Sequence, residues 1–164
     1  MIKNLNIMSP VDFGSMGVAG RREFIKRYMK AHFLGKSFPC PVLGRDVKVS
    51  ADSIRETSAH ACKSTLSTIA AINLPAIIGE AEWAYASLPK AGTQTKRFQA
   101  AKVHVLFTQM SDQDVAKLTL VEKGDSYFLE YCVTAQKSIA AKLCSMAWGR
   151  VADEAALIAK QGKG

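Results

Sequence analysis

Apolar positions recur with a helical period in the first half of the chain and with strict alternation in the second. Phe24, Ile25, Tyr28, Met29 and Phe33 form a stripe at i, i+4 spacing. Arg21, Arg22, Lys26, Arg27 and Lys30 take the remaining surface, which predicts an amphipathic helix over 21–33 that stops at Gly35. Residues 1–19 hold Pro10, Gly14 and Gly17 without sustained periodicity and read as irregular. A Pro-rich connector (36–44) leads to a short strand at Val47–Val49. Ser53 opens the next helix, with Ser53-x-x-Glu56 at the spacing of a capping box. Ile54, Ser58, Ala61, Cys62, Thr65 and Ile69 share one face, and Glu56, His60, Lys63 and Ser67 the other. Leu74-Pro75 interrupts the pattern, and a further helix buries Ile77, Ile78, Ala81 and Trp83. Residues 86–96 form a loop around Pro89 and Gly92.

Three alternating runs follow. Val103, Val105 and Phe107, then Leu118 and Leu120, then Tyr127, Leu129 and Tyr131 make one apolar face. Gly124-Asp125 reads as a two-residue hairpin turn that pairs Val121 with Phe128 and Thr119 with Glu130. Residues 139–160 are helical again, with Leu143, Met146 and Ala147 apolar and an interruption at Gly149. The expected class is α+β: N-terminal helices packed on one face of a curved antiparallel β-meander, with a C-terminal helix. The chain divides into an N-terminal segment with its basic helix (1–34), an α+β core (35–138) and a C-terminal helical segment (139–164).

Composition narrows the class without naming an activity. A chain of 164 residues with 48% hydrophobic and 22% charged content has an ordinary globular composition. It holds no apolar run of eighteen residues and no secretory leader, so a cytoplasmic protein without a membrane span is expected. The net charge is +8, which points toward nucleic acid. The excess sits at the ends: seven cations against two anions in 1–38, eleven against ten in 39–138, and four against two in 139–164. Cys40, Cys62, Cys132 and Cys144 show no paired Cys-x-x-Cys spacing, so buried free thiols are expected rather than a zinc site.

The second face of the meander carries the candidate chemistry: Lys102, His104, Thr108, Lys117, Thr119 and Glu130. One face of a half-buried antiparallel sheet packs on helices and the other stays open. On that open face, His104 and Glu130 are the expected proton-transfer pair for metal-free RNA cleavage. One takes the 2′-hydroxyl proton and the other protonates the leaving 5′-oxygen. Lys102 and Lys117 would offset charge on the phosphorane, beside Thr119. This placement requires an even-length loop in the first hairpin, because a one-residue slip sends His104 to the core. Glu56, His60 and Lys63 form a second polar stripe on their helix. Phosphate-loop, dinucleotide and H-E-x-x-H motifs are absent, so neither a cofactor nor a metal is expected.

From about Gly35 to Thr134 the chain resembles domains of large phage and mobile-element polyvalent proteins assigned to the barnase–EndoU–colicin–RelE nuclease superfamily. The resemblance rests on Gly35-Lys36, Val47-Lys48-Val49 and Ser53-Ile54-Arg55, then His60 and Lys63. It continues through Leu74-Pro75, Ile77-Ile78, Glu80-Ala81 and the meander ending in Tyr127 and Tyr131. It implies a metal-independent ribonuclease fold, often a toxin, with a curved sheet as the active surface and RNA as substrate. His60 and Lys63 match the helix motif; His104, Thr119 and Glu130 rest on face geometry. Arg97, just ahead of the first meander strand, is the nearest candidate for an arginine phosphate clamp. The alternative is a non-enzymatic module that binds nucleic acid or a protein through its basic ends. A cognate inhibitor, docking of 1–34 on a polyprotein neighbour, and the oligomeric state stay open.

Overall fold

The computed structural model describes residues 7–87, 102–138, 140 and 141. Arg97, Cys144, the side chain of Trp83 and nearly all of the expected C-terminal helix lie outside them. A 3-10 turn (Phe13–Ser15) precedes α1 (Val18–His32), β1 (Ser37–Cys40) and β2 (Arg45–Lys48). Then come α2 (Ala51–Ala61), α3 (Thr65–Ile72), α4 (Leu74–Gly79) and β3 (Glu82–Ser87). The described chain ends with β4 (Lys102–Gln109), β5 (Asp114–Lys123) and β6 (Ser126–Gln136).

The expected amphipathic helix is α1, whose Ile25 and Met29 are fully buried with Phe33 beside them. Gly35 follows at φ 76°, a conformation that costs a residue without Cβ little. Arg21 is not part of the solvated face. Its guanidinium donates to the carbonyls of Cys62 (2.8 Å), Phe13 (3.2 Å) and Met16, tying α1 to the end of α2 and to the preceding turn. A guanidinium suits this task because its donors fan out in one rigid plane. Replacing Arg21 with alanine should lower unfolding free energy by about 2–3 kcal/mol, because charge-assisted bonds to half-buried carbonyls are lost. Urea denaturation checks this, and Arg21→Lys should recover little of it.

Helix α2 starts three residues before the expected position. Ser50 is its cap and accepts from the Ser53 N–H, while Ser53 Oγ accepts from the Ser50 N–H. The reciprocal box is thus made by Ser50 and Ser53 rather than by Ser53 and Glu56. The chain then turns sharply twice. Ser64 caps α3 and accepts from Ser67 N–H, and Pro75 in the first turn of α4 needs no amide donor. Residues 82–87, expected partly in a helix and partly in a loop, form β3 instead.

The six strands make one sheet in the order β1-β2-β6-β5-β4-β3. Its antiparallel meander, β3 to β6, is longer by one strand than expected, and β2 joins it parallel to β6 through Val47–Tyr127 and Lys48–Phe128. The sheet is therefore mixed, and β1, inside the expected connector, pairs with β2. Beyond Phe128 no strand among the described residues pairs with that edge of β6. Serines satisfy it instead: Ser53 Oγ donates to the Leu129 carbonyl, and Ser67 Oγ accepts from the Thr134 N–H at 3.0 Å. Helices α2 and α3 so cover an edge that would otherwise offer free backbone groups to another chain.

Two registers depart from the alternation read off the sequence. In the β4–β5 hairpin Gln109 pairs with Val115 and the Met110 N–H donates to the Asp114 carbonyl. Residues 111–113 are the loop, an odd number. Leu106 therefore faces Leu118 and His104 faces Leu120, and all three leucines are fully buried in the core formed with Ile25, Met29, Ile54, Ile77 and Ile78. The expected phase of β4 is inverted: His104, Leu106 and Thr108 lie on the helix-covered side. Val103, Val105 and Phe107 lie on the other, beside Lys117 and Thr119. That second side is not an open polar surface either, since Val105, Val115, Val121 and Thr119 are buried.

The second departure is in β5–β6. Gly124, at φ 57°, makes the expected turn, and Val121 pairs with Phe128 as expected. A bulge then intervenes, so that Leu120 faces Leu129 but Thr119 faces Tyr131 rather than Glu130. The extra residue moves Cys132 onto the core side opposite Leu118.

Candidate functional site

The expected proton-transfer pair does not form. His104 is only 8% exposed, and its Nε2 lies 2.9 Å from Glu122 Oε2, its diagonal neighbour across β4–β5. The Tyr127 ring closes over it edge-on at 5.2 Å. Its Nδ1 is buried with no hydrogen-bond partner among the described residues. Glu130 is equally buried, in the bulge of β6, two strands away. Two strand spacings amount to roughly 9.5 Å, too far for both groups to bond one phosphodiester. His104 thus belongs to a His104–Glu122–Tyr127 cluster inside the fold, a correction of the open-face assignment.

The other expected residues fall into two groups. Lys102 is exposed in register with Glu122, and Lys117 is half-buried between Phe107 and Val133 on the opposite side from His104. Thr119 sits beside Lys117 on that side, buried, its hydroxyl without a partner among the described residues. Its cross-strand neighbour is Tyr131. The Tyr131 ring in turn lies 4.9 Å from the ring of His60, where α2 runs along the free edge of β6. His60 is 44% exposed, and Glu56 Oε2 stands 3.6 Å from its Nε2. Lys63 is exposed just past the end of α2.

The structure therefore assembles Glu56, His60, Tyr131 and Thr119 at the bulge, with Glu130 in the bulge itself. Arg55 joins them, its guanidinium 2.8 Å from Asp52 and 3.7 Å from Glu56. Alternation in the sequence assigns Tyr131 to the apolar face with Leu129, and only the bulge separates the two. Arg55 stands in the sequence within the Ser53-Ile54-Arg55 match to the resembled family, with no role in the chemistry attached to it. Glu122, the true partner of His104, was hidden by the inverted phase of β4.

Chemically, an exposed imidazole with a carboxylate beside one nitrogen and a phenol beside its ring suits proton transfer. Serving as nucleophiles is less suited to the thiols. Cys40, Cys62 and Cys132 are all buried and free, and burial pushes the Cys132 thiol up to about 12 and the Cys40 thiol upward as well. Among the described residues, no cluster of three or more His, Cys, Asp or Glu could hold a metal ion. No helix among them is long and apolar enough to cross a membrane.

No curated protein and no solved structure matches the chain. The family model of large polyvalent protein-associated domain 3 matches residues 17–129, from the cap of α1 to the residue before the bulged glutamate. The match begins well upstream of Gly35 and takes in α1, whose Ile25 and Met29 pack in the same core as the sheet. Covering well over half of the chain, it shows that the protein belongs to the family of large polyvalent protein-associated domain 3.

Proposed function

We propose that this domain cleaves RNA without a metal, by general acid–base catalysis at the β6 bulge. The observation that carries this reading is His60, exposed, with the Glu56 carboxylate at 3.6 Å and the Tyr131 ring at 4.9 Å. Neutral His60 takes the proton from a 2′-hydroxyl, whose oxygen attacks the adjacent phosphorus. Glu56 steadies the imidazolium that forms. Tyr131 donates its phenolic proton to the departing 5′-oxygen, and water returns the proton from His60 to Tyr131. The products are a 2′,3′-cyclic phosphate and a free 5′-hydroxyl. Lys63 and Arg55 supply positive charge for the phosphorane oxygens, a term as large as the proton transfers. On this reading the domain is a barnase–EndoU–colicin–RelE-type nuclease of a phage or mobile-element polyvalent protein, acting in the cytoplasm.

Incubation with single-stranded RNA in EDTA tests it. Fragments ending in 2′,3′-cyclic phosphate are expected, and intact RNA after prolonged incubation with folded protein would refute cleavage.

A second reading has its own support. The most buried histidine is withdrawn from solvent, and α1 presents Arg22, Arg27 and Lys30 outward, with one ion pair among the described residues, Arg27–Glu23 at 3.6 Å. A module that only binds nucleic acid or an acidic partner, such as an inhibitor or a polyprotein neighbour, needs no more than that surface. Salt-dependent RNA retention without cleavage identifies it.

A further inference from the structure

A second feature of β6 lies three residues before Tyr131. Phe128 is half-buried beside Val121 of β5 and Lys48 of β2. Two ammonium groups converge on its ring, Lys48 Nζ at 5.7 Å and Lys123 Nζ at 5.8 Å from the centroid. Both lysines are exposed, and among the described residues neither has a carboxylate partner. The arrangement is held in place: Lys48 Nζ donates to Ser126 Oγ at 3.2 Å, and Arg45 donates to the Asp125 carbonyl at 2.6 Å, fastening β2 to the hairpin turn. Gathering two like charges at one ring costs energy in the free protein. An anionic ligand with a flat π-face offsets that cost.

We infer that Phe128, Lys48 and Lys123 form a platform on which one base of a single-stranded nucleic acid stacks while the lysines hold its flanking phosphates. An aromatic ring on a sheet surface flanked by cations is how sequence-tolerant single-strand binding is built. A duplex cannot use it, because its bases are already stacked on one another. The bulge matters here too. In an unbroken strand, residues three apart point to opposite sides, but Phe128 pairs with Val121 and Tyr131 with Thr119, both on the side away from the core. A base on Phe128 is then about 10 Å along β6 from Tyr131. The inference rests on the reading of RNA as the ligand at the bulge, but binding tests it separately from cleavage.

The probe is a fluorescently labelled 12-nucleotide RNA, its DNA equivalent, and a duplex of the same sequence, each read by anisotropy in EDTA. The parent and a His60→Ala protein, which removes turnover, are compared with Phe128→Ala, Phe128→Leu, Lys48→Ala and Lys123→Ala. Phe128→Leu keeps an apolar side chain but removes the π-face, so a folding defect in Phe128→Ala does not obscure the result. Both Phe128 variants should bind single strands roughly 5- to 100-fold more weakly. Each lysine variant should reduce the slope of log affinity against log salt by about 0.7. Equal loss for RNA and DNA locates recognition in base and phosphate; loss for RNA alone adds the 2′-hydroxyl. Parental affinity in Phe128→Leu, equal binding of duplex and single strand, or no binding by the parent at low salt would overturn the platform. Binding that depends on Phe128 without any cleavage would uphold the platform and refute the nuclease reading.

Discussion

His60→Ala is expected to lower RNA cleavage by about two to four orders of magnitude, the usual contribution of one general acid or base. Its effect on unfolding should stay within about 0.5 kcal/mol, since the side chain is 44% exposed and its contact with Glu56 is a surface pair at 3.6 Å. His104→Ala should do the reverse. That substitution empties a site that is 8% exposed and removes the partner of Glu122 at 2.9 Å. A loss of roughly 2–4 kcal/mol follows from the cavity and the lost hydrogen bond. Cleavage per folded molecule should be unchanged. Measuring both variants for cleavage rate and urea midpoint separates a reacting histidine from a structural one. If His104→Ala abolishes cleavage at full folding while His60→Ala keeps it, the bulge is not the reaction site. Tyr131→Phe keeps the ring against His60 but removes the phenol. It should retain stability and lose cleavage, which a purely structural tyrosine would not do.

Alkaline pH should destabilise this protein through Cys132. The thiol is fully buried opposite Leu118, and burial pushes it up to about 12. In the unfolded chain a cysteine titrates near 8.5. Between these two values the folded state keeps a proton that the unfolded state has released, so raising the pH favours unfolding. The stabilisation is fully present below about pH 8.5. It then falls by about 1.4 kcal/mol per pH unit until the folded thiol itself ionises. By pH 10 the loss from this one group reaches about 2 kcal/mol. Urea unfolding of the parent and of Cys132→Ala at pH 8 and pH 10 isolates it, because lysine and tyrosine titrations are common to both proteins. The parent should lose about 2 kcal/mol more than the variant over that interval. Parallel losses would mean that Cys132 is not held as a protonated thiol by its surroundings.

Helix α1 shows how far pattern alone reaches. Ile25, Met29 and Phe33 are buried as their spacing predicts, because a solvated helix on a core must put one stripe inside. Similarly, Gly124-Asp125 makes its turn and pairs Val121 with Phe128, since a two-residue loop with positive φ dictates the nearest register. Serine boxes were harder. Ser50 and Ser53 satisfy the same spacing rule as Ser53 and Glu56, and nothing local decides between two overlapping candidates. Strands β1 and β3 escaped because Pro39 and Pro41 read as a connector, and residues 82–87 have no alternation clear enough to contradict a helix.

The candidate site was less legible, for a specific reason. Strand β4 reads Lys-Val-His-Val-Leu-Phe-Thr, with valines on one phase and leucine on the other, so either phase can be buried. Alternation favours the Val103, Val105 and Phe107 phase three to one over Leu106, yet the register is set by the three-residue loop and by Leu118 and Leu120 across the ladder. One residue of loop length therefore decided whether His104 faces a ligand or the core. The bulge between Thr119 and Leu120 has the same character. It reverses the phase of β6 beyond Leu129, separates Tyr131 from the core side, and brings it to His60.

By itself, then, the sequence determined the α+β class, the basic amphipathic helix, the hairpin turn and the residue types at hand for acid–base chemistry. These follow from periodicity, backbone preferences and side-chain chemistry, which act over a few residues. The tertiary structure decided which side each strand presents, that β2 joins β6 in parallel, and which histidine meets solvent. Those choices depend on one residue of hairpin-loop length and on contacts between residues up to 80 positions apart, such as Ser53 with Leu129 and Val47 with Tyr127, where burial outweighs any local preference.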